Sequence, residues 1–299
     1  MPTSGPNRPD VTAAAILGPV LRREATALRQ HEARLHVDET AVHEYRIVAR
    51  RLRSILVGYE PLLDQAASRH LVSDLRVAGA ALSGLRDSQA VLERLEALLD
   101  DEAADLDVDL ARTQAGRALP PAAGKLASSK LLHSSEYDDF VRRLERFSDL
   151  PPWTGLASER VSASMLPILR NEWARFRTRG RAALAALRAD GDDGLHEARK
   201  AAKRARYVFE AAEPAFGRRA RRMAKAASGV QRVLGEQRDS MLTREVLDRA
   251  AGESALLGED TALLNLLLAR EAARADELRA QTGESLVALG RKGLSRWMS

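Results

Sequence analysis

The chain has 299 residues, of which 45% are hydrophobic and only 4% aromatic, and this composition favours helices packed through Leu and Ala over β-sheets. It contains no Cys, which excludes disulfides, thiolate nucleophiles and thiolate metal ligands. The net charge is +5, with 47 Lys and Arg residues against 42 Asp and Glu residues, so anionic partners are favoured and any strong positive potential has to be local. The chain has no apolar run near the roughly 18 residues of a membrane span and no hydrophobic signal core at its start, so we expect a cytoplasmic protein that contacts no membrane.

In chain order, helical periodicity and composition divide the chain into two helical repeats joined by a linker. Residues 1–9 are Pro-rich and polar and are expected to be disordered. Residues 10–100 are predicted to form a first helical-bundle repeat, and residues 160–290 a second one. The segment 101–159 is predicted as a linker, because it is acidic at first and then rich in Ala, Gly, Pro and Ser. It is expected to contain one short amphipathic helix over about 136–147.

Local signals predict where the helices of each repeat begin and end. Thr40 and Asp193 each lie three residues before a His and are predicted as N-caps of the second helix of their repeat. Gly84 and Gly235 are predicted to break a long third helix in each repeat and so to begin a fourth one. These signals together predict four helices per repeat.

The second predicted helix of each repeat carries the same charged pattern, a His followed by four cations at identical offsets. On a helix, the His and three of the cations fall within an arc of roughly 80°, the fourth cation lies beside that arc, and apolar residues occupy the opposite side. Each cationic stripe is about 15 Å long at about 1.5 Å per residue. The first basic stripe consists of His43, Arg46, Arg50 and Arg53 with Arg51 beside it, and the second consists of His196, Arg199, Lys203 and Arg206 with Arg204 beside it.

The cations of each stripe are spaced three or four residues apart, an arrangement in which like charges repel by a few tenths of a kcal/mol per pair. A solvated helix face usually mixes charges of both signs and avoids this repulsion. Because the repulsion is repeated in both halves of the chain, the stripes are more typical of surfaces that bind a polyanion. We expect the two stripes to converge on one site. We also expect His43 and His196 to be neutral in the free protein, because their Arg neighbours disfavour a charged ring.

The duplicated pattern V-H-x-x-R-x-x-x-R-R-x-R resembles the CHAD family, the conserved histidine α-helical domain. The second half departs from the first by Lys203 in place of Arg50 and by Ala205 in place of Leu52 on the apolar side. A second element of the family, a Gly followed closely by Arg-Asp, also occurs twice. It comprises Gly84, Arg86 and Asp87 in the first half and Gly235, Arg238 and Asp239 in the second. The resemblance covers residues from about 10 to about 290.

The resemblance implies an all-α fold of two four-helix bundles related by an internal pseudo-twofold axis, with the basic stripes lining a central groove or pore. It also implies a non-enzymatic protein that binds inorganic polyphosphate through these stripes and is targeted to polyphosphate granules, without a metal or another cofactor. The triphosphate-processing domain fused to some members is marked by Glu-x-Glu-x-Lys, which this chain lacks. Further candidate ligands of polyphosphate are Arg22, Arg86, Arg177, Lys225, Arg232 and Arg238.

Two other functions remain open at the level of the sequence. Nucleic acid has the same charge requirement, but the stacking of bases needs exposed aromatic residues beside the cations, and only Tyr207 lies near the basic arc. An enzyme acting on phosphoanhydrides would need a nucleophile or metal-holding carboxylates that face the stripes, and Glu44 and Glu197 are the only carboxylates that recur beside them. The role of the Arg-Asp pairs is equally open, because each Asp is a candidate helix cap and each Arg a candidate ligand.

Overall fold

The computed structural model describes the chain mostly as helix. The described residues are 11–35, 39–82, 84–100, 107–119, 132–189, 191–290 and 293–298, and the side chains of Glu39 and of residues 84–90 lie outside the description. These ranges contain eleven α-helices and no β-strand, so the all-α prediction is confirmed. The helices are α1 (Ala13–Glu32), α2 (Glu39–Gly58), α3 (Gln65–Ala81), α4 (Gly84–Asp100), α5 (Val108–Ala118), α6 (Ser135–Asp149), α7 (Val161–Arg188), α8 (Leu195–Ala211), α9 (Glu213–Phe216), α10 (Arg218–Leu256) and α11 (Ala262–Ala288). Residues 1–9, predicted to be disordered, lie outside the described residues.

The short helix predicted inside the linker is α6. Ser134 caps it, because its hydroxyl accepts a hydrogen bond from the Tyr137 N–H at 3.2 Å. Tyr137, Phe140 and Leu144 are buried, and α6 packs against α1 and α3. The Tyr137 hydroxyl also lies 2.9 Å from the Tyr45 hydroxyl of α2, and burial raises the pKa of both phenols. The linker therefore contributes a helix to the core of the first half.

Both predicted N-caps of the basic helices are wrong. α2 already begins at Glu39, so Thr40 lies inside the helix and does not cap it. α8 begins after Gly194, whose φ of 84° places it in the left-handed region, so the N-cap is Gly194 and not Asp193. Side chains that favour caps mark the region of a helix start, but the backbone conformation of individual residues decides where the first turn closes.

Two other expectations about helix boundaries also differ from the structure. α10 is continuous through Gly235, where the sequence predicts a break. A single Gly costs a helix only about 1 kcal/mol relative to Ala, and burial of the neighbouring Leu234 and Gln237 outweighs that cost. Gly84, in contrast, begins α4 as predicted. The segment predicted as a linker also contains α5, which packs against α10 through buried Ala residues.

The apolar core consists of two clusters that both contain residues from the two halves of the chain. The larger cluster joins α1, α2, α3 and α6 to α7, α8 and the first part of α10. The smaller cluster joins α4 and α5 to the second part of α10 and the first part of α11. The division into repeats at 10–100 and 160–290, and the pseudo-twofold axis between them, stay predictions.

α2 and α8, which carry the two basic stripes, pack directly against each other. The Tyr59 hydroxyl at the end of α2 donates a hydrogen bond of 2.8 Å to the Val208 carbonyl of α8. Gly58 permits this approach, since a side chain at this position would overlap the Val208 side chain. On the apolar faces, Leu52 and Ala205 are fully buried. The contact brings the cationic faces of the two helices into the same region of the molecule.

A first prediction concerns this contact. Gly58→Ala should lower the free energy of unfolding by about 1–3 kcal/mol, because the added methyl group forces α2 and α8 apart. Gly252→Ala is the matched control, since Gly252 is exposed within α10 and an added Cβ would have nothing within 4 Å, so this change should stabilise by about 0.5–1 kcal/mol. Urea unfolding followed by circular dichroism measures both. A Gly58→Ala variant as stable as the wild type would show that the two helices are not in close contact here.

Candidate functional site

The first basic stripe lines a cavity between α2 and α3. Arg46, Arg50 and Arg53 of α2 meet Arg76 of α3 around a volume of about 220 Å³. The other residues described along its wall are small or apolar, and none of them is a carboxylate. Burial, together with the charges of Arg50 and Arg76, lowers the pKa of Arg53. The cavity therefore concentrates four guanidinium groups in one place.

The second basic stripe opens into another cavity, of about 210 Å³, between α8 and α10. Arg199 of α8 and Arg238 of α10 form its cationic side, with the His196 ring beside them. Burial, followed by the charges of Lys200 and Arg238, lowers the pKa of His196, and Glu197 opposes the shift. The expected lowering of the His196 pKa is confirmed, but the largest cause of the shift is burial and not the neighbouring charges. Other residues that line this cavity are Asp192, Leu195, Leu234, Gln237, Met241, Leu242 and Glu245.

Lys203 links the two stripes electrostatically. It is half-buried on α8, and its pKa is lowered to about 7. Burial is the largest cause, followed by the positive charges of Arg50, Arg199 and Arg238, whereas the Asp239 carboxylate acts in the opposite direction. Because Arg50 belongs to the first stripe and Arg199 to the second, the two stripes meet at Lys203.

The Arg and His side chains that line the two cavities, together with Lys203, form what we call the basic cluster. α2 and α8 contribute three members each, and α3 and α10 contribute one each. The members are Arg46, Arg50, Arg53, Arg76, His196, Arg199, Lys203 and Arg238. A guanidinium group contacts two phosphate oxygens at once, whereas an ammonium group acts as a point charge, so the cluster is equipped to bind a multiply charged anion. His43 is half-buried on α2, at the start of the first stripe.

Three predicted ligands, in contrast, donate hydrogen bonds to carboxylates. The pairs are Arg51 with Glu24 at 3.2 Å, Arg204 with Glu172 at 2.7 Å and Arg206 with Glu210 at 2.7 Å. The guanidinium groups of Arg51 and Arg206 also lie over the ring of the buried Tyr207, at 5.5 and 5.3 Å from its centroid. Arg51 joins α2 to α1, and Arg204 joins α8 to α7. Since their charges are compensated within the fold, we do not include these three residues in the basic cluster.

The buried carboxylates that hold Arg51 and Arg204 were not found by sequence reasoning. Glu24 lies on α1 and Glu172 on α7, each on the buried, otherwise mostly apolar face of its helix and each almost fully buried. A buried carboxylate needs a cation nearby, and this is the signal by which the pairs with Arg51 and Arg204 could have been anticipated. Arg76 offered no comparable signal, because it lies outside the duplicated pattern.

Four of the remaining sequence candidates line neither cavity. Arg22 and Lys225 are exposed, and Arg232 is exposed and pairs with Glu236 at 3.0 Å. Arg177 is half-buried, and its buried Nε has no hydrogen-bond partner among the described residues. The fold therefore does not place these four residues in the basic cluster.

The second Arg-Asp pair belongs to the site. Arg238 lines the second cavity, and Asp239 raises the pKa of Lys203. Neither residue caps a helix, because α10 is continuous at this point. The first pair, Arg86 and Asp87, lies in α4, and its side chains are outside the described residues.

The chain belongs to the CHAD domain family, whose model matches residues 19–248. The chain is also similar to an uncharacterised protein of Mycobacterium tuberculosis, found in two strains, at 29% identity over 255 residues. The match covers 82% of this chain and 47% of that protein, so the chain spans about half the length of the curated relatives it matches.

Two solved structures show the same fold. PptA from Streptomyces chartreusis has a TM-score of 0.72 and 19% identity, with 92% of this chain and 98% of that chain covered. The CHAD domain from the plant Ricinus communis has a TM-score of 0.62 and 20% identity, with 94% and 93% covered. At these identities the similarity concerns the fold alone.

The neighbouring residues Lys203 and Arg204 should respond to Met substitution in opposite directions. Lys203 is a half-buried cation among other cations, so Lys203→Met should raise the free energy of unfolding at pH 7 by about 1–2 kcal/mol. Arg204→Met leaves the buried Glu172 with only the more distant Arg175, at 3.9 Å, and should lower the free energy of unfolding by about 3–5 kcal/mol. Urea denaturation at pH 7 without polyanions measures both. Destabilisation by Lys203→Met would contradict the view that this position stores like-charge repulsion.

Proposed function

We propose that this protein binds inorganic polyphosphate through the basic cluster and does not catalyse a reaction on it. The observation that carries this proposal is the position of Lys203, half-buried among Arg50, Arg199 and Arg238. An ammonium group in such surroundings holds its proton weakly unless an anion compensates the positive field. Membership in the CHAD domain family supports the same function.

A linear polyanion fits the basic cluster better than a compact anion. The cations come from four helices and surround two cavities, so a single phosphate group reaches only a part of them. A flexible chain of phosphates can contact both cavities, and each contact releases counterions into solution. The proposed ligand is therefore a chain long enough to contact both basic stripes.

Nucleic acid is the second candidate, and the positive charge of the cluster favours it. Base stacking would require aromatic side chains at the site. Tyr45 and Tyr207 are fully buried, and the residues described around the two cavities include no Phe, Tyr or Trp. A base-free chain is therefore the better match.

We propose binding without catalysis, metal or another cofactor, because the carboxylate that sequence reasoning singled out beside the second stripe is already engaged. Lys200 donates a hydrogen bond of 2.9 Å to Glu197 and lowers the pKa of that carboxyl group. The Asp239 carboxylate raises the pKa of the neighbouring Lys203 ammonium group. Glu197 and Asp239 therefore each already interact with a neighbouring Lys, and Asp192 in the second cavity accepts a hydrogen bond of 2.9 Å from Arg279.

Binding of this ligand would determine where the protein acts. None of the described helices combines the length and the apolar character that a membrane span needs. We propose that the protein acts in the cytoplasm and that its affinity for polyphosphate recruits it to polyphosphate granules.

Affinity should rise with the length of the polyphosphate chain and fall steeply with salt, because each added contact displaces counterions. The triple variant Arg50→Gln/Arg53→Gln/Lys203→Gln should weaken the binding of long-chain polyphosphate at least about tenfold and reduce the salt slope by about 2–3. Fluorescence anisotropy with labelled polyphosphate over a range of salt concentrations measures both quantities.

The matched control for this triple variant is Arg112→Gln/Arg142→Gln/Arg146→Gln, which removes the same charge from exposed positions outside the cluster. It should bind almost as the wild type does. Equal losses in the two triple variants would indicate a response to net charge alone. Tight binding of triphosphate, equal to that of a long chain, would instead point to a small closed pocket.

Affinity should also depend on pH through Lys203. Its pKa of about 7 in the free protein should rise towards the ordinary Lys value of about 10.4 when a polyanion is bound, so a proton is taken up on binding between these values. Affinity should therefore fall by up to about tenfold per pH unit as the pH rises above about 7, and this contribution should be constant at lower pH.

Lys203→Arg is the control for this pH dependence, because a guanidinium group stays protonated throughout the range. Calorimetric titration with polyphosphate in buffers of different ionisation enthalpy measures the protons taken up. An unchanged proton uptake in Lys203→Arg would show that another group is responsible.

A further inference from the structure

A second group of cations lies on α10, outside the basic cluster. We call it the outer stripe, and it consists of Arg218, Arg219, Arg222 and Lys225. All four residues are exposed at the start of this 39-residue helix, and no Asp or Glu occurs on it from residue 218 to residue 235. Arg221, in the same segment, is paired with Glu213. The four cations of the outer stripe have no ion-pair partner among the described residues.

The absence of compensating charge distinguishes the outer stripe from much of the described surface. Several exposed Arg side chains elsewhere lie against a carboxylate from another helix. Examples are Arg112 with Glu96 at 2.9 Å and Arg143 with Asp74 at 2.9 Å. In the outer stripe, Arg218, Arg222 and Lys225 follow one another four and three residues apart, so like charges repel along one side of the helix. An uncompensated row of this kind favours contact with an anion.

Three members of the outer stripe, Arg218, Arg222 and Lys225, lie on the side of α10 opposite to the second cavity. Arg222 and Lys225 are within about 40° of Arg218 around the helix axis at about 100° per residue, and Arg219 lies about 100° from Arg218. Arg238 and Met241, which line the cavity, are about 140–160° away from Arg218. Arg238 is also about 24 Å farther along the axis than Arg222, at about 1.5 Å per residue. The outer stripe is thus a surface separate from the basic cluster.

We propose that the outer stripe binds a second polyphosphate strand, so that one protein molecule bridges two strands. This inference rests on the proposed function, in which the basic cluster holds the first strand. The chemistry of the stripe suits a base-free chain, because its side chains are guanidinium and ammonium groups that contact phosphate oxygens. Phe216, the nearest aromatic residue in the chain, packs against Trp297 with ring centroids 5.4 Å apart and is not free to stack on a base.

Two cationic surfaces that face in different directions make the protein bivalent towards a long polyanion. Each polyphosphate chain has room for many protein molecules, and each protein molecule contacts two chains. Such multivalent contacts cross-link the chains and raise the avidity of the whole assembly without a new kind of contact. The protein would then condense polyphosphate in addition to binding it.

A co-capture experiment with the full chain tests this proposal. Biotinylated polyphosphate is fixed on beads, the protein and fluorescent polyphosphate are added, and the fluorescence retained by the beads reports bridging. The wild type should retain the fluorescent chain. The variant Arg218→Gln/Arg219→Gln/Arg222→Gln/Lys225→Gln should retain at least about tenfold less, while its affinity for a single short chain stays within about threefold of the wild type.

Two control variants separate a specific surface from net charge. Arg112→Gln/Arg142→Gln/Arg146→Gln/Arg244→Gln removes the same charge from exposed positions elsewhere and should bridge as the wild type does. Arg218→Lys/Arg219→Lys/Arg222→Lys keeps the charge of the outer stripe and should preserve most of the bridging. Circular dichroism of all variants verifies the fold.

The outcomes distinguish this inference from the proposed function. If the wild type binds no polyphosphate, the proposed function fails and bridging fails with it. If the wild type binds a single chain but does not bridge, or if the outer-stripe variant bridges as well as the wild type, the inference alone is overturned. If that variant loses affinity for duplex DNA while bridging of polyphosphate is unchanged, the outer stripe is a nucleic-acid surface and the inference is likewise overturned.

Discussion

The packing of α2 against α8 is the constraint on which the rest of this structure depends, because it places two helices with cationic faces side by side. The apolar faces drive the contact, with Leu52 and Ala205 fully buried, and Gly58 lets the helices approach closely. Burial of such faces contributes about 25 cal/mol per Å² of apolar surface, so roughly 100 Å² already outweighs several like-charge pairs at a few tenths of a kcal/mol each. The repulsion between the cationic faces therefore persists in the folded protein and is available to an anionic ligand.

The fold compensates some of these cations and leaves others for a ligand. Arg51 and Arg204 are held by buried carboxylates, so they stabilise the packing of α1 on α2 and of α7 on α8. Arg50 and Lys203 lie among other cations, and burial together with these neighbouring charges lowers the pKa of Lys203. A ligand that meets cations already held in place loses less entropy on binding than one that has to order mobile side chains. Stability is lowered at the same positions that favour binding, a relation common at functional sites.

The continuity of α10 shows that helix packing can override a local sequence signal. The sequence predicts a break at Gly235, yet the helix runs without interruption from the outer stripe past the basic cluster to the smaller apolar cluster. Local propensity at one Gly is worth about 1 kcal/mol, and the packing of α10 against α8, α11 and α5 outweighs it. α5 was missed for a related reason, since a short Ala-rich helix in a region of linker-like composition is specified mainly by the surface it packs on.

The sequence by itself determined which side of each basic helix is cationic and which is apolar, because that pattern depends only on residue spacing along a single helix. It also located α6, whose cap and apolar face are adjacent in the chain. Only the tertiary structure decided which cations are compensated, since Glu24 and Glu172 reach Arg51 and Arg204 from other helices. It likewise brought Arg76 to the first cavity and Arg50 towards Lys203, because contacts between distant segments depend on how the helices pack and not on the spacing within any one of them.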